Sequence, residues 1–106
     1  MEVRHDDDDL ENAERDPAYK GALDHKLVRA LIKVMTIVRG VRNETHLYQH
    51  RGLRFKQCKG NRSHQHELRL NDQFRLIVEI EKRDGRDANI CAIKELVDIH
   101  DEPRGK

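Results

Sequence analysis

Apolar positions recur at two different spacings along this chain, and the change between them divides it into halves. Leu27, Leu31, Val34, Met35 and Val38 fall three or four residues apart, with Val28, Ile32 and Ile37 widening the stripe. That is the period of an amphipathic helix with one face in a core. Asp24 is placed to cap its start and Gly40 to stop it, while Lys26, Arg29, Lys33 and Arg39 take the outer face. A shorter helix precedes it. Asp6–Asp9 offers carboxylates to a helix N-terminus, Leu10 and Ala13 give a weak apolar stripe, and Pro17 ends the element. The same Asp run also suits a disordered acidic tail. Met1–Arg4, ahead of it, is long enough for an edge strand.

Beyond a connector at Arg42–Gly52, which Leu47 and Tyr48 are expected to anchor, the period becomes two. Leu53 and Phe55 alternate with Arg54 and Lys56. After a Gly60-Asn61 turn, His64, His66, Leu68 and Leu70 share one strand face, and Gln65, Glu67 and Arg69 share the other. Asn71-Asp72 marks a hairpin, and Phe74, Leu76, Val78 and Ile80 then alternate with Arg75, Ile77, Glu79 and Glu81. Asp84-Gly85 marks another turn, Asn89–Val97 a last strand, and the tail from Asp101 is polar and frayed. Helices followed by an antiparallel meander define an α+β fold. The expected architecture is two N-terminal helices packed on one face of a twisted antiparallel sheet, in a single domain spanning residues 1–106. Leu27, Leu31, Val34 and Val38 should face Leu68, Leu70, Leu76, Val78 and Ile80, with Arg75 on the opposite face of its strand.

Composition limits how thick that domain can be. Apolar residues are 36% of the chain and charged residues 39%, so the core must be thin, one sheet covered on one face. A domain of this size buries only about two-thirds of its unfolded surface, which leaves room for a partner to add stability. No apolar run approaches the length of a membrane span, and the acidic start is not that of a secretory signal. Cys58 and Cys91 form no CxxC pair and are expected to be reduced thiols in a cytosolic protein.

The net charge of +1 conceals an asymmetry. Residues 1–16 hold two arginines against eight carboxylates, a net of −6, which leaves +7 for the rest. Arg51–Arg75 alone has seven Lys or Arg against Glu67 and Asp72. Such a stretch fits a polyanionic partner, and it equally fits a solvated basic face.

Neither a phosphate-cradling glycine loop nor a serine-nucleophile motif is present, and Ser63 is the only serine. What stands out is Lys, Arg and His on strand-like segments, with Asp98-Ile99-His100 closing the last strand. Those types suit RNA cleavage through the 2′-hydroxyl. A base takes its proton, the oxygen attacks phosphorus, an acid protonates the leaving 5′-oxygen, and Arg or Lys neutralises the phosphoryl charge. No metal or cofactor is required, and His titrates near neutrality. Other readings stay open: His64-x-His66 as two metal ligands, Arg75 as a structural ion-pair member, and His100 as an ordinary surface histidine.

Three segments resemble the HigB branch of the RelE/ParE toxin superfamily. Phe55-Lys56-Gln57-Cys58-Lys59-Gly60-Asn61-Arg62 is similar to a basic segment ending in Leu-Lys-Gly-Asp-Arg. Glu67–Leu76 is similar to the hairpin in which a strand, an Asn-rich turn, an aromatic and an Arg follow in order, and Leu96–His100 to a terminal Ile-Val-Asp-Tyr-His. The resemblance implies a RelE-like fold, ribosome-dependent cleavage of messenger RNA in the cytoplasm, and neutralisation by a helix-turn-helix antitoxin in a hetero-oligomer. By position it implies His100, Asp98, Arg75 and Lys59 as the cleavage residues. Arg54, Lys56, Arg62, His64 and His66 are the expected contacts to ribosome or RNA. Lys56 falls where some relatives have histidine, and Ile99 replaces their tyrosine, which puts catalytic strength in doubt more than fold. Two other functions remain: a ParE-like toxin that binds DNA gyrase, and a non-catalytic RNA-binding module.

Overall fold

The structure, a computed structural model, describes residues 1–82 and 89–100; the expected Asp84-Gly85 turn and the tail from Asp101 fall outside the described residues. Strand β1 (Glu2–His5) leads into helices α1 (Asp8–Arg15), α2 (His25–Gly40) and α3 (Glu44–Gln49). Strands β2 (Lys56–Gln57), β3 (His66–Arg69), β4 (Phe74–Lys82) and β5 (Asn89–Asp98) follow.

The acidic run caps a helix. Asp7 Oδ1 accepts from the Leu10 amide at 3.0 Å, while Asp8, Asp9 and Glu11 occupy the first turn of α1, where the free amides and the dipole favour negative charge. Asp24 caps α2 in the same way, at 2.8 Å from the Leu27 amide. The apolar stripe of α2 is buried as its period requires: Leu27, Leu31, Val34 and Val38 share one cluster with Leu68, Leu70, Leu76 and Val78, and Ile80 packs on its margin. Leu31, Met35 and Val38 are wholly buried, each contributing about 1.5–3 kcal/mol relative to an exposed side chain.

Three expectations need correction. The sheet order is β1-β5-β4-β3-β2 and the sheet is mixed, because β1 pairs with β5 in parallel; only the other four strands form an antiparallel meander. The connector contains α3, a single short helix whose six residues carry too few apolar positions to show a period. Within it Leu47 is buried but Tyr48 is 52% exposed, so Leu47 is the side chain that anchors the segment in the core. Between β4 and β5 the register shifts after Ile77: Leu76 pairs with Leu96 and Ile77 with Glu95, but Val78 pairs with Ile93. Lys94 is the extra residue, and this bulge lets Ile93 and Leu96 both face the helices.

A half-buried carboxylate joins three elements. Glu14 of α1 accepts from Arg39 near the end of α2 through two bonds, at 2.8 and 2.9 Å, and lies 2.7 Å from Nε2 of His5 on β1. The His5 side chain is 1% exposed, because its strand position faces the helices. The Arg39 guanidinium, and His5 after it, hold the Glu14 carboxyl below the usual range. A carboxyl lowered in the folded state adds stability above its unfolded pKa, and that stability is lost as pH falls through the lowered value. Glu14→Gln should therefore lower stability by on the order of 2 kcal/mol at neutral pH, and the gap between the two proteins should close in acid. Thermal melts across an acid-to-neutral series check this; a gap that stays constant throughout would contradict it.

Candidate nucleic-acid interface and cleavage site

The helices cover one face of the sheet, so the side chains of the other face meet water or one another. Pleating and register set a row across four strands on that open face: Lys56, Glu67, Ile77 and Glu95. Ile77 is 1% exposed and Ala92 0%, although neither belongs to the cluster under the helices. Charged neighbours close around them. Lys56 Nζ lies 3.5 Å and Arg75 Nε 3.8 Å from the same Glu67 oxygen. Arg62, from a 3-10 turn at Gly60–Arg62, reaches back to Gln65 at 3.1 Å and Glu95 at 3.7 Å. Gln65 in turn donates to Glu79 at 3.0 Å. Toward β1, Arg4 forks onto Glu81 at 2.8 and 2.7 Å, and Lys94 bonds Asp6 at 2.9 Å. Those cations hold the Asp6 carboxyl at about 2.

Arg75 is the most constrained of the predicted catalytic residues. Its Nη1 donates to the carbonyls of Asn71 at 2.6 Å and Phe74 at 3.2 Å, which fastens it to the hairpin turn. That turn is organised by Asn71, whose side-chain oxygen accepts from the amides of Gln73 and Phe74 at 2.9 and 2.8 Å. Arg69 sits directly across from Arg75, and Asp72 pairs with it, so the two like charges are each given a carboxylate.

Asp98 and His100 are neighbours, but not for the reason the strand pattern suggests. Strand β5 ends at Asp98, so alternation no longer governs His100. Instead Asp98 Oδ1 accepts from the His100 amide at 2.9 Å, and this turn leaves the ring Nδ1 3.6 Å from the same oxygen. Gln73 donates to the other carboxylate oxygen at 2.8 Å. The Gln73 bond, then the His100 amide, hold the Asp98 carboxyl below its ordinary value. The imidazole is 63% exposed and so open to a substrate. Asp98 pairs with Phe74 while Arg75 pairs with Val97, so Asp98 and Arg75 occupy opposite faces at one end of the sheet. No hydrogen bond or ion pair among the described residues joins His100 to Arg75 or Lys59.

The remaining predicted residues divide between the two sides. His64 is exposed and 4.0 Å from Glu79, whereas His66 is largely buried and 3.9 Å from Glu44. They do not share a strand face as expected, because β3 begins only at His66 and the chain turns before it. His66 stacks on Phe55, with centroids 4.7 Å apart and planes 6° from parallel, and burial lowers its pKa. Lys59 and Arg54 are exposed, with no carboxylate partner among the described residues. Cys91 is buried and its thiol is pushed up to about 12, which makes it a poor ligand or nucleophile. No group of three metal-ligating side chains occurs among the described residues.

Sequence reading missed Glu67, Glu79 and Glu95. Each appears in the alternating pattern as a polar position, but nothing in that pattern says which cation it meets. Glu67 meets Lys56 and Arg75, and Glu95 meets Arg62, so three of the cations in Arg51–Arg75 are engaged by carboxylates.

No protein-family model matches the chain, and no curated protein matches it. Among solved structures a YoeB/ParE toxin from Agrobacterium tumefaciens superposes with a TM-score of 0.55, covering 92% of this chain and 98% of that one at 12% identity. At that identity the likeness is one of fold alone.

Glu67 supplies a test of the open face. Glu67→Gln removes the carboxylate shared by Lys56 and Arg75, so binding to a polyanion such as heparin should tighten. The slope of log affinity against log salt should steepen by about one. Ion-exchange retention or titration at several salt concentrations reads this, and an unchanged slope would show that the pair does not face the ligand.

Proposed function

We propose that this chain is the single-domain toxin of a type II toxin–antitoxin pair, of the HigB kind, and that it cuts messenger RNA on the ribosome without a metal. The observation that carries this reading is the fold shared with a YoeB/ParE toxin across 92% of the chain. The match of Phe55–Arg62, Glu67–Leu76 and Leu96–His100 to the HigB pattern adds to it. The proposed partners are the ribosome with its bound message, and a helix-turn-helix antitoxin that silences the toxin.

In this reading His100 exchanges the proton, held by Asp98, and its exposure gives a ribose access to the ring. Arg75 and Lys59 stabilise charge on the phosphoryl oxygens. Asp98 keeps its negative charge through neutrality, because Gln73 and the His100 amide both favour the ionised form. Lys56, Arg54, Arg62 and His64 supply phosphate contacts that add affinity without sequence choice. Glu67 already engages Lys56 and Arg75 in the free protein, so RNA must compete with it for both.

A second reading, a toxin that binds gyrase, is favoured by the ion pairing of the open face. The two separate on expression in cells: loss of messenger RNA for the first, DNA damage without RNA cleavage for the second.

His100→Gln keeps size and hydrogen bonding but removes titration near neutrality. It should slow cleavage of ribosome-bound message by on the order of a hundredfold or more, with melting temperature and antitoxin binding unchanged. Parental cleavage rates in this variant would remove His100 from proton transfer. Replacing Arg54, Lys59 and Arg62 together by Ala should weaken ribosome association and flatten its salt dependence. Sedimentation with ribosomes at graded salt measures both, and an unchanged dependence in a folded variant would exclude this surface.

A further inference from the structure

The segment from Arg42 to Arg62 contains α3, two 3-10 turns and β2, and it wraps the β2 edge of the sheet. Six of its residues are Lys or Arg, against one carboxylate, Glu44, a net of +5. Arg51, Arg54 and Lys59 have no carboxylate partner among the described residues, unlike the cations of the open face. In the middle of this charge stands Tyr48, 52% exposed. The other three aromatic side chains are otherwise occupied: Phe55 is buried, Phe74 packs against the core, and the Tyr19 hydroxyl is bonded to Asp9.

Tyr48 is exposed but not loose. Its ring meets Phe55 edge-on, with centroids 4.7 Å apart and planes at 72°, and Phe55 is backed by the parallel imidazole of His66. Three rings in series fix the orientation of the outermost before any ligand arrives, which reduces the entropy lost on binding. The backbone beside them is strained. Arg54 adopts φ 46° and ψ 43°, the left-handed region that residues other than glycine rarely occupy. Such a residue persists only where its surroundings enforce it. Here the strain lets Leu53 and Phe55 both be buried while Arg54 between them stays exposed.

We propose that Tyr48 is a stacking platform for an unpaired RNA base, with Arg51, Arg54 and Lys59 holding the flanking phosphates. The proposal deepens the RNA-directed reading above and rests on it. A polyanion fits the charge, and an aromatic face within a cationic segment adds what a phosphate backbone alone does not need: a surface for a base. Paired bases in an A-form helix hide their faces, so the ligand is single-stranded message or a splayed-out base of ribosomal RNA. Stacking is tolerant of sequence because every base has a π-face. The Tyr48 phenol, its pKa raised by burial and then by Glu44, stays neutral and does not repel phosphate.

The chain has no tryptophan and two tyrosines, so Tyr19→Phe leaves Tyr48 as the reporter of tyrosine fluorescence. An unstructured single-stranded RNA of about 12 nucleotides, within the span such surfaces cover, is titrated into this protein. The same RNA as a perfect duplex is the control. Single-stranded RNA should quench the signal. Tyr48→Ala should weaken binding by roughly 5- to 150-fold, the range expected for one stacked base, without altering the salt slope, and Tyr48→Trp should restore it. Duplex RNA should neither quench nor depend on Tyr48. Equal affinity of Tyr48→Ala and parent for the single strand overturns the proposal. So does an equal loss of duplex binding, or a defect confined to binding a protein partner. Tyr48-dependent binding by a protein that fails to cleave message on the ribosome would refute the nuclease reading and leave the platform standing.

Discussion

The pairing of β4 with β5 is the constraint on which the other elements depend. It is the longest ladder in the sheet, and Leu76, Ile77 and Val78 on one strand and Cys91, Ala92 and Ile93 on the other, which meet at the Val78–Ile93 pair, are all buried. Consecutive buried residues on adjacent strands mean that both faces of the sheet are covered there. The helices cover one. The other has no helix among the described residues, and it is closed instead by the loop before β3 and by long charged side chains lying across the strands. A chain with 36% apolar residues cannot build a second apolar layer, so it uses the aliphatic stems of Arg, Lys, Glu and Gln for this purpose.

That solution has an electrostatic consequence. Side chains that cover Ile77 and Ala92 must be held in place, and carboxylates at Glu67, Glu79 and Glu95 hold them. The stretch that looks most basic in the sequence is therefore divided in three dimensions: Lys56, Arg62, Arg69 and Arg75 meet carboxylates. Arg51, Arg54 and Lys59, around the edge strand, have no carboxylate partner among the described residues. The residues expected to perform cleavage are divided in the same way: Lys59 lies among the cations without a carboxylate partner, whereas Arg75 meets Glu67 and is tied to the hairpin carbonyls that fix its position.

The C-terminal pair shows how a correct adjacency can follow from a different cause. Two residues apart on a strand would place Asp98 and His100 on one face. The strand stops at Asp98, and a turn bonded through the aspartate itself brings the ring beside it. Gln73, from the β3–β4 hairpin, fixes the carboxylate from the other side. A strand pattern contains no information about that contact, because the donor lies 25 residues away.

The sequence by itself determined the elements whose signal is local and repeated. The period of α2, its Asp24 cap and the alternation of β4 each rest on interactions between a residue and its near neighbours, or between one face and a core, so spacing is enough to read them. The Asp run was legible as a helix start for the same reason. Only the tertiary structure decided the parallel placement of β1, the bulge at Lys94, the exposure of Tyr48 and the separation of His64 from His66. Each depends on which distant strand or side chain arrives alongside, and the free energy of that arrival is shared among many contacts. The charge balance of the candidate site belongs to this second group. Coulombic pairing acts through space, and the carboxylates that decide which arginines remain available come from strands that the order of residues alone does not align.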